Sequence, residues 1–152
     1  MTISLRAVTV DNWEDCIALR VRADQEVYVD SNLYCIAEAY IEPRWTPLAI
    51  YAEETMVGLV VSGGVESGVY VIHHLMIDRQ HQRQGYGAAA LREVVRRLRA
   101  LLDCRAIALS YWSGNPAARL YEALGFAHTG ERWGEEPVMQ LATAPGEEGW
   151  PD

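Results

Sequence analysis

The run Gln82-Arg83-Gln84-Gly85-Tyr86-Gly87-Ala88 is the stretch of this sequence whose residue types and spacing suit chemistry best. If a helix begins here, its first-turn N–H groups lack partners within the helix and sit at the positive end of the dipole, where an anion such as a pyrophosphate is favoured. Gly85 and Gly87 carry no Cβ, so the backbone can approach phosphate oxygens and adopt angles closed to other residues. The same glycines also suit a tight strand-to-helix turn. The run is neither of the two common nucleotide loops, because no GxGxxG follows the first strand and no Lys-Ser/Thr ends it.

Other chemistry is excluded by spacing. His73 and His74 are adjacent, and neighbours on a regular strand face opposite ways unless a bulge intervenes, which is poor geometry for two ligands of one metal. Cys16, Cys35 and Cys104 are odd in number, widely spaced and without a CxxC pair, so they read as reduced core residues rather than a disulfide framework or a zinc site. No metal is implied. The formal charge is −8, which opposes non-specific binding to nucleic acid. The acidic excess is concentrated: eight acids against two arginines lie between Asp11 and Glu42.

These residues need elements to position them. Ile3 to Val8 alternates and opens a sheet; Asp11 is the expected cap of a helix through Trp13, Ile17 and Ala18. A second helix is expected from Ser31 as N-cap through Leu33, Ile36, Ala37 and Tyr40, stopped by Pro43. Leu48–Ala52, Met56–Val61 and Val69–Ile77 read as an antiparallel meander, broken at Glu53-Glu54 and over Gly63–Gly68. The longest helix is expected from about Gly85 to Leu102, with Leu91, Val94, Val95, Leu98, Leu101 and Leu102 on its apolar face. Arg92, Arg96 and Arg99 line another face that suits solvent, although Arg83 and Arg92 could also meet phosphates. Ala106–Tyr111 follows as a strand, Pro116–Leu124 as a short helix ended by Gly125, and a last strand lies near Val138 to Leu141.

The expected order is βααβββαβαβ, an α/β (α+β) fold with a mixed, mostly antiparallel sheet of about six to seven strands and about four helices. At 152 residues, half of them apolar, the chain suits one domain over 1–142, with 143–152 as a frayed tail. Met1 to Arg6 lacks the order of a signal peptide and no apolar run reaches the roughly eighteen residues of a membrane span, so a cytoplasmic protein is expected.

Preceded by the apolar strand Leu75-Met76-Ile77-Asp78, the spacing Gln82-x-x-Gly85-x-Gly87 resembles the Q/R-x-x-G-x-G/A signature of the GNAT superfamily of acetyltransferases. Asn115-Pro-Ala-Ala-Arg-Leu-Tyr121-Glu-Ala-Leu-Gly125-Phe126 is similar to that family's C-terminal segment. The resemblance covers residues 3 to 142 and implies acetyl-CoA as cofactor. It implies that backbone groups of Leu75, Met76 and Ile77 hold the acetyl carbonyl and pantetheine, that Gln82 and Arg83 to Ala88 hold the pyrophosphate, and that Tyr121 protonates the departing thiolate. A phenol of pKa about 10 is protonated at neutral pH, and a thiol of about 8.5 leaves better when given a proton. Asn115 is implied as a cofactor contact, yet it precedes Tyr121 by six residues where the family commonly has seven, a rotation of about a third of a helical turn. Such proteins are often dimers.

Acetylating an alkylamine of pKa about 10.4 requires removal of a proton, so a base or water chain is needed. On a regular strand His73 shares the face of Leu75, and it is the candidate base; a packed histidine is the alternative. Val29 to Tyr40 together with Leu48 to Tyr51 is similar to bacterial spermidine/spermine acetyltransferases. Glu26, Asp30, Glu38 and Glu42 could draw a polycation along a groove, with Tyr34 and Trp45 offering cation–π faces. The expected reaction is direct attack by a primary amine of a small cationic acceptor in a ternary complex. An aminoglycoside, a protein N-terminus, or an acetyl-CoA sensor without turnover are the competing expectations.

Overall fold

In the computed structural model, residues 2–142 are described; the expected tail at 143–152 lies outside them. The alternating runs form β1 (Ile3–Ala7), β2 (Thr46–Ala52), β3 (Thr55–Glu66), β4 (Val69–Ile77), β5 (Ala106–Ser110), β6 (Ala127–Trp133) and β7 (Glu136–Ala142). The helices are α1 (Trp13–Ala18), α2 (Asn32–Ile41), α3 (Tyr86–Arg99) and α4 (Ala118–Ala123), with a single 3-10 turn at Ala23–Gln25. The seven strands make one sheet in the order β1-β2-β3-β4-β5-β7-β6, antiparallel throughout except at β4-β5. That parallel pair requires a crossover, which α3 supplies.

Helices pack on both faces of the sheet, away from its β6 edge. On one, Ala90, Leu91, Val94, Val95 and Leu98 of α3 pack with Ile50, Val60, Ile72, Ile107 and Leu109. Leu91 is fully buried, and truncating it to alanine is expected to cost about 2–5 kcal/mol. On the other, Cys16 of α1 and Cys35 of α2 pack with Leu59, Val61 and Met76. All three cysteines are buried and none forms a disulfide.

Several boundaries differ from expectation for identifiable reasons. Asn12, not Asp11, occupies the N-cap position of α1, and its Oδ1 accepts from the Thr9 N–H at 2.7 Å. Ser31 caps α2 by accepting from the Tyr34 N–H at 3.1 Å. Helix α3 ends at Arg99, so Leu101 and the fully exposed Leu102 fall beyond the helix although they continue its period. β3 runs through Gly63 and Gly64 to Glu66, so the break is confined to Ser67-Gly68. Gly63 lies against the Arg44 carbonyl, where a Cβ would collide. One strand was expected after Gly125, and there are two: every residue of β6 is exposed, so it has no buried face to produce alternation.

Candidate active site

The site begins where β4 and β5 part. Their pairing is confined to Val69–Val71 with Ala106–Ala108, and from His73 onward the two strands frame a gap. The Asp78 N–H donates to the Val57 carbonyl of β3 at 2.8 Å. Because backbone polar groups alternate sides along a strand, those of Ile77 and Leu75 face away from β3, into the gap. The Met76 carbonyl faces β3 instead, pressed so closely on Gly58 that a Cβ there would collide with it. Of the three residues expected to offer backbone groups to a cofactor, Leu75 and Ile77 are so oriented and Met76 is not.

The loop after β4 is held by Asp78, a buried acid whose Oδ1 accepts from the Arg20 N–H at 2.9 Å and whose Oδ2 accepts from the Gln80 N–H at 3.1 Å. Gln82 donates its amide to the Ile77 carbonyl at 2.9 Å and to the Gln25 side chain at 2.8 Å, so it braces the loop while lining the cleft. Arg83 has φ 63° and Gly85 φ 83°, two left-handed residues flanking Gln84. Gly85 is the N-cap of α3; Arg83, Gln84 and Gly85 are exposed, and Tyr86, Gly87 and Ala88 follow half-buried in the first turn. A concavity of successive N–H groups at the start of a fourteen-residue helix suits a pyrophosphate. Gly87 has room: a Cβ there would meet Ile77 and Leu120 only at 3.7 and 3.9 Å.

Tyr121 of α4 stands at the inner wall of the cleft, 9% exposed, tilted against Tyr111 and Phe126. Burial pushes its phenol up to about 12, so it stays protonated through the neutral range. Asn115 also lines the cleft, and its Oδ1 accepts from the Ala117 N–H at 3.0 Å, which makes it the brace of the turn into α4.

The expected geometry of the two histidines is corrected by a bulge. Val61 of β3 pairs with His74 and Ser62 with Ile72, which leaves His73 as the extra residue. The bulge breaks period two, so Ile72 and Leu75 pack in the α3-side core, while His73 and His74 both meet α2. His73 therefore does not share the face of Leu75. Its Nε2 lies 2.6 Å from Glu38 Oε1, and its ring stacks on Trp45 at 4.1 Å and 8°. His74 is buried, with Nε2 3.1 Å from Asn32 Oδ1, and burial depresses its pKa to about 4. Asn32 in turn donates to the Cys16 carbonyl at 2.9 Å.

The cleft encloses about 630 Å³. Glu26, Asp30 and His73 line it, whereas Glu38 and Trp45 are engaged with His73 behind it. Tyr34 is exposed on the outer side of α2, and Glu42 pairs with Arg44 at 3.5 Å, both away from the cleft. The opposite wall brings in Trp112, Trp133 and Glu136, whose carboxylate accepts from the Ser110 hydroxyl at 3.4 Å. None of these three is marked by a motif in the sequence; the apolar-polar pattern of the last hairpin carries no signal that Glu136 turns inward. Among the described residues the lining holds three carboxylates and no arginine.

The Acetyltransferase (GNAT) family model matches residues 11–126. The chain belongs to this family. It is thereby an acetyltransferase that takes its acetyl group from acetyl-CoA, and the gap at Leu75 and Ile77 with the N–H concavity at Gly85 fits that molecule's thioester arm and pyrophosphate. Among relatives, the probable spermine N(1)-acetyltransferase of Bacillus subtilis subsp. natto and the spermine/spermidine N(1)-acetyltransferase of Bacillus subtilis strain 168 are each 30% identical over 139 residues, 86% of this chain and 91% of theirs. Two of the solved structures that share the fold illustrate the range. One is a spermidine N-acetyltransferase from Vibrio cholerae in complex with CoA and spermine, with TM-score 0.73 and 17% identity over 93% of this chain and 95% of that one. The other is an aminoglycoside acetyltransferase in complex with coenzyme A, with TM-score 0.77 and 18% identity over the same shares. Among the described residues no helix is long and apolar enough to cross a membrane.

Proposed function

We propose that this GNAT protein acetylates a primary amine of a small linear polycation of the spermidine or spermine type. One observation carries the reading: among the described residues, Glu26 and Asp30 on one wall and Glu136 on the other give the cleft three carboxylates and no opposing arginine. Cationic acceptors are attracted to such a cleft, and the aromatic rings of Trp112 and Trp133 suit alkylammonium groups. The two Bacillus relatives, named for spermine and spermidine, support the same class.

Bound acetyl-CoA supplies a thioester whose acyl carbon is open to attack by an amine. The chain's own residues then have two tasks. The N–H groups of Leu75 and Ile77 facing the gap orient the acyl oxygen and the adjoining arm. Tyr121, neutral at working pH, donates a hydrogen bond to the departing sulfur. With the phenol at about 12 and a thiol near about 8.5, complete transfer is uphill, so the donated proton is coupled to the one the amine gives up.

His73 is the proposed acceptor of that proton. A carboxylate only accepts, so opposite Glu38 a neutral imidazole carries its proton on Nε2, which leaves the Nδ1 lone pair available. Trp45 stacked on the ring holds its plane. In this reading Glu38 and Trp45 position the base rather than bind the acceptor directly. A thiol-release assay with acetyl-CoA and spermidine, spermine and an aminoglycoside tests the proposal. Turnover with the polyamines is expected; turnover with the aminoglycoside alone would overturn the acceptor assignment, and tight acetyl-CoA binding without turnover would make the protein a sensor.

A further inference from the structure

A second chamber adjoins the cleft. It encloses about 530 Å³ beneath the segment that joins α1 to α2, and Val21, Glu26, Val29, Asp30 and Met76 line both spaces. Beyond these shared residues its walls are an aliphatic strip, Ile17 and Leu19 at the end of α1 and Leu33 at the start of α2, bordered by the polar Arg20, Ser31 and Asn32. Two exposed carboxylates, Glu26 and Asp30, thus stand where the spaces meet, with aromatic and acidic walls on one side and an aliphatic floor on the other. Among the described residues Arg20 is the one cation in the lining; its backbone N–H is held by Asp78, and the residue is exposed.

Resting on the proposed amine acetylation, we infer that this chamber receives the far arm of the acceptor and selects for its length. A reacting amine placed in the cleft leaves the next ammonium group at Glu26 and Asp30, and the methylenes beyond it lie over Ile17, Leu33 and Met76. Aliphatic segments favour such a floor because each buried methylene contributes about 0.8 kcal/mol, close to a fourfold gain in affinity. The acceptor class is therefore a linear amine with at least two cationic groups and an aliphatic arm past the second. Rigid ring amines and short diamines fill the first space only.

The test compares 1,3-diaminopropane, which has the reacting head and second ammonium but no arm, with spermidine, which adds a four-carbon arm ending in a third ammonium, and with N-butyl-1,3-diaminopropane, which adds the arm without the third charge and is expected to share the gain of spermidine. For the intact protein, kcat/KM is expected to be at least tenfold higher for spermidine. Ile17→Trp fills the chamber from α1, and Leu33→Trp fills it from a position that is 56% exposed and therefore tolerant in folding. Both are expected to bring the spermidine to diaminopropane ratio close to one. A ratio that stays at its original value in both variants overturns the arm site while leaving amine acetylation standing. Failure of every amine to be acetylated, with acetyl-CoA still bound, overturns both.

Discussion

The half of the molecule proposed to receive acetyl-CoA and the half proposed to receive the amine are built from different material. Around β4, the following loop and α3, the working groups are backbone N–H and C=O, aimed by strand alternation, by two left-handed residues at Arg83 and Gly85 and by a helix start. Around α1, the 3-10 turn, α2 and the last hairpin, the working groups are side chains on separate segments that meet only in three dimensions. Backbone sites tolerate wide change in side chains and so persist through a family; side-chain sites can be retuned for each acceptor. The halves are nevertheless tied together, since Asp78 reaches the Arg20 backbone and Gln82 reaches Gln25.

If the halves are separable, variants should fall cleanly on one side. The largest effect is expected from Tyr121→Phe, a fall in kcat of roughly a hundredfold with little change in acetyl-CoA affinity, read by steady-state kinetics and calorimetry. A comparable effect on stability is expected from pH. His74 is depressed to about 4 from an ordinary 6.5, so below pH 6.5 the unfolded chain binds a proton that the folded one refuses. Stability is complete above that range and is lost as pH falls toward 4, by about 3 kcal/mol. Urea midpoints at pH 7.5 and 4.5 measure it, and hydrogen exchange should show α2 loosening from β4 first.

A smaller effect is expected from Gly87→Ala. The fold has room for the methyl and alanine favours the helical backbone of α3, so melting should be unchanged or slightly raised while acetyl-CoA affinity falls about tenfold, equivalent to about 1.4 kcal/mol. Wild-type affinity in that variant would remove the pyrophosphate from this helix start. The smallest change is expected from Glu38→Gln, a severalfold loss of kcat with a shifted pH profile and an unaltered KM for the polyamine. A raised KM with an unmoved profile would return Glu38 to the acceptor site and make the division between the halves less sharp.

The cofactor half was the more legible in the sequence because its signal is local. Gly85 and Gly87 lie within six residues of Gln82, the period of α3 is regular, and Gly125 closes α4 with φ 97°. The acceptor half depends on a bulge and on a hairpin. No pattern of residue types announces that His73 is the extra residue of β4, because the bulge is defined by what stands opposite on β3. A strand like β6, exposed at every position, has no alternation to read, and with it the inward turn of Glu136 was invisible. The acids of the second helix were legible as an excess but not in their partners: Glu38 faces a histidine thirty-five positions away, and Glu42 faces its neighbour Arg44.

The buried cysteines make the protein a quiet background for the chemistry it performs. Burial lifts Cys16 to about 11 and Cys35 to about 12, and Cys104 is enclosed as well. A colorimetric thiol reagent added to the folded enzyme should register liberated coenzyme A and almost nothing from the polypeptide. The same reagent, applied in denaturant, should recover the three hidden sulfurs, so one dye can report turnover in native buffer and the integrity of the fold outside it.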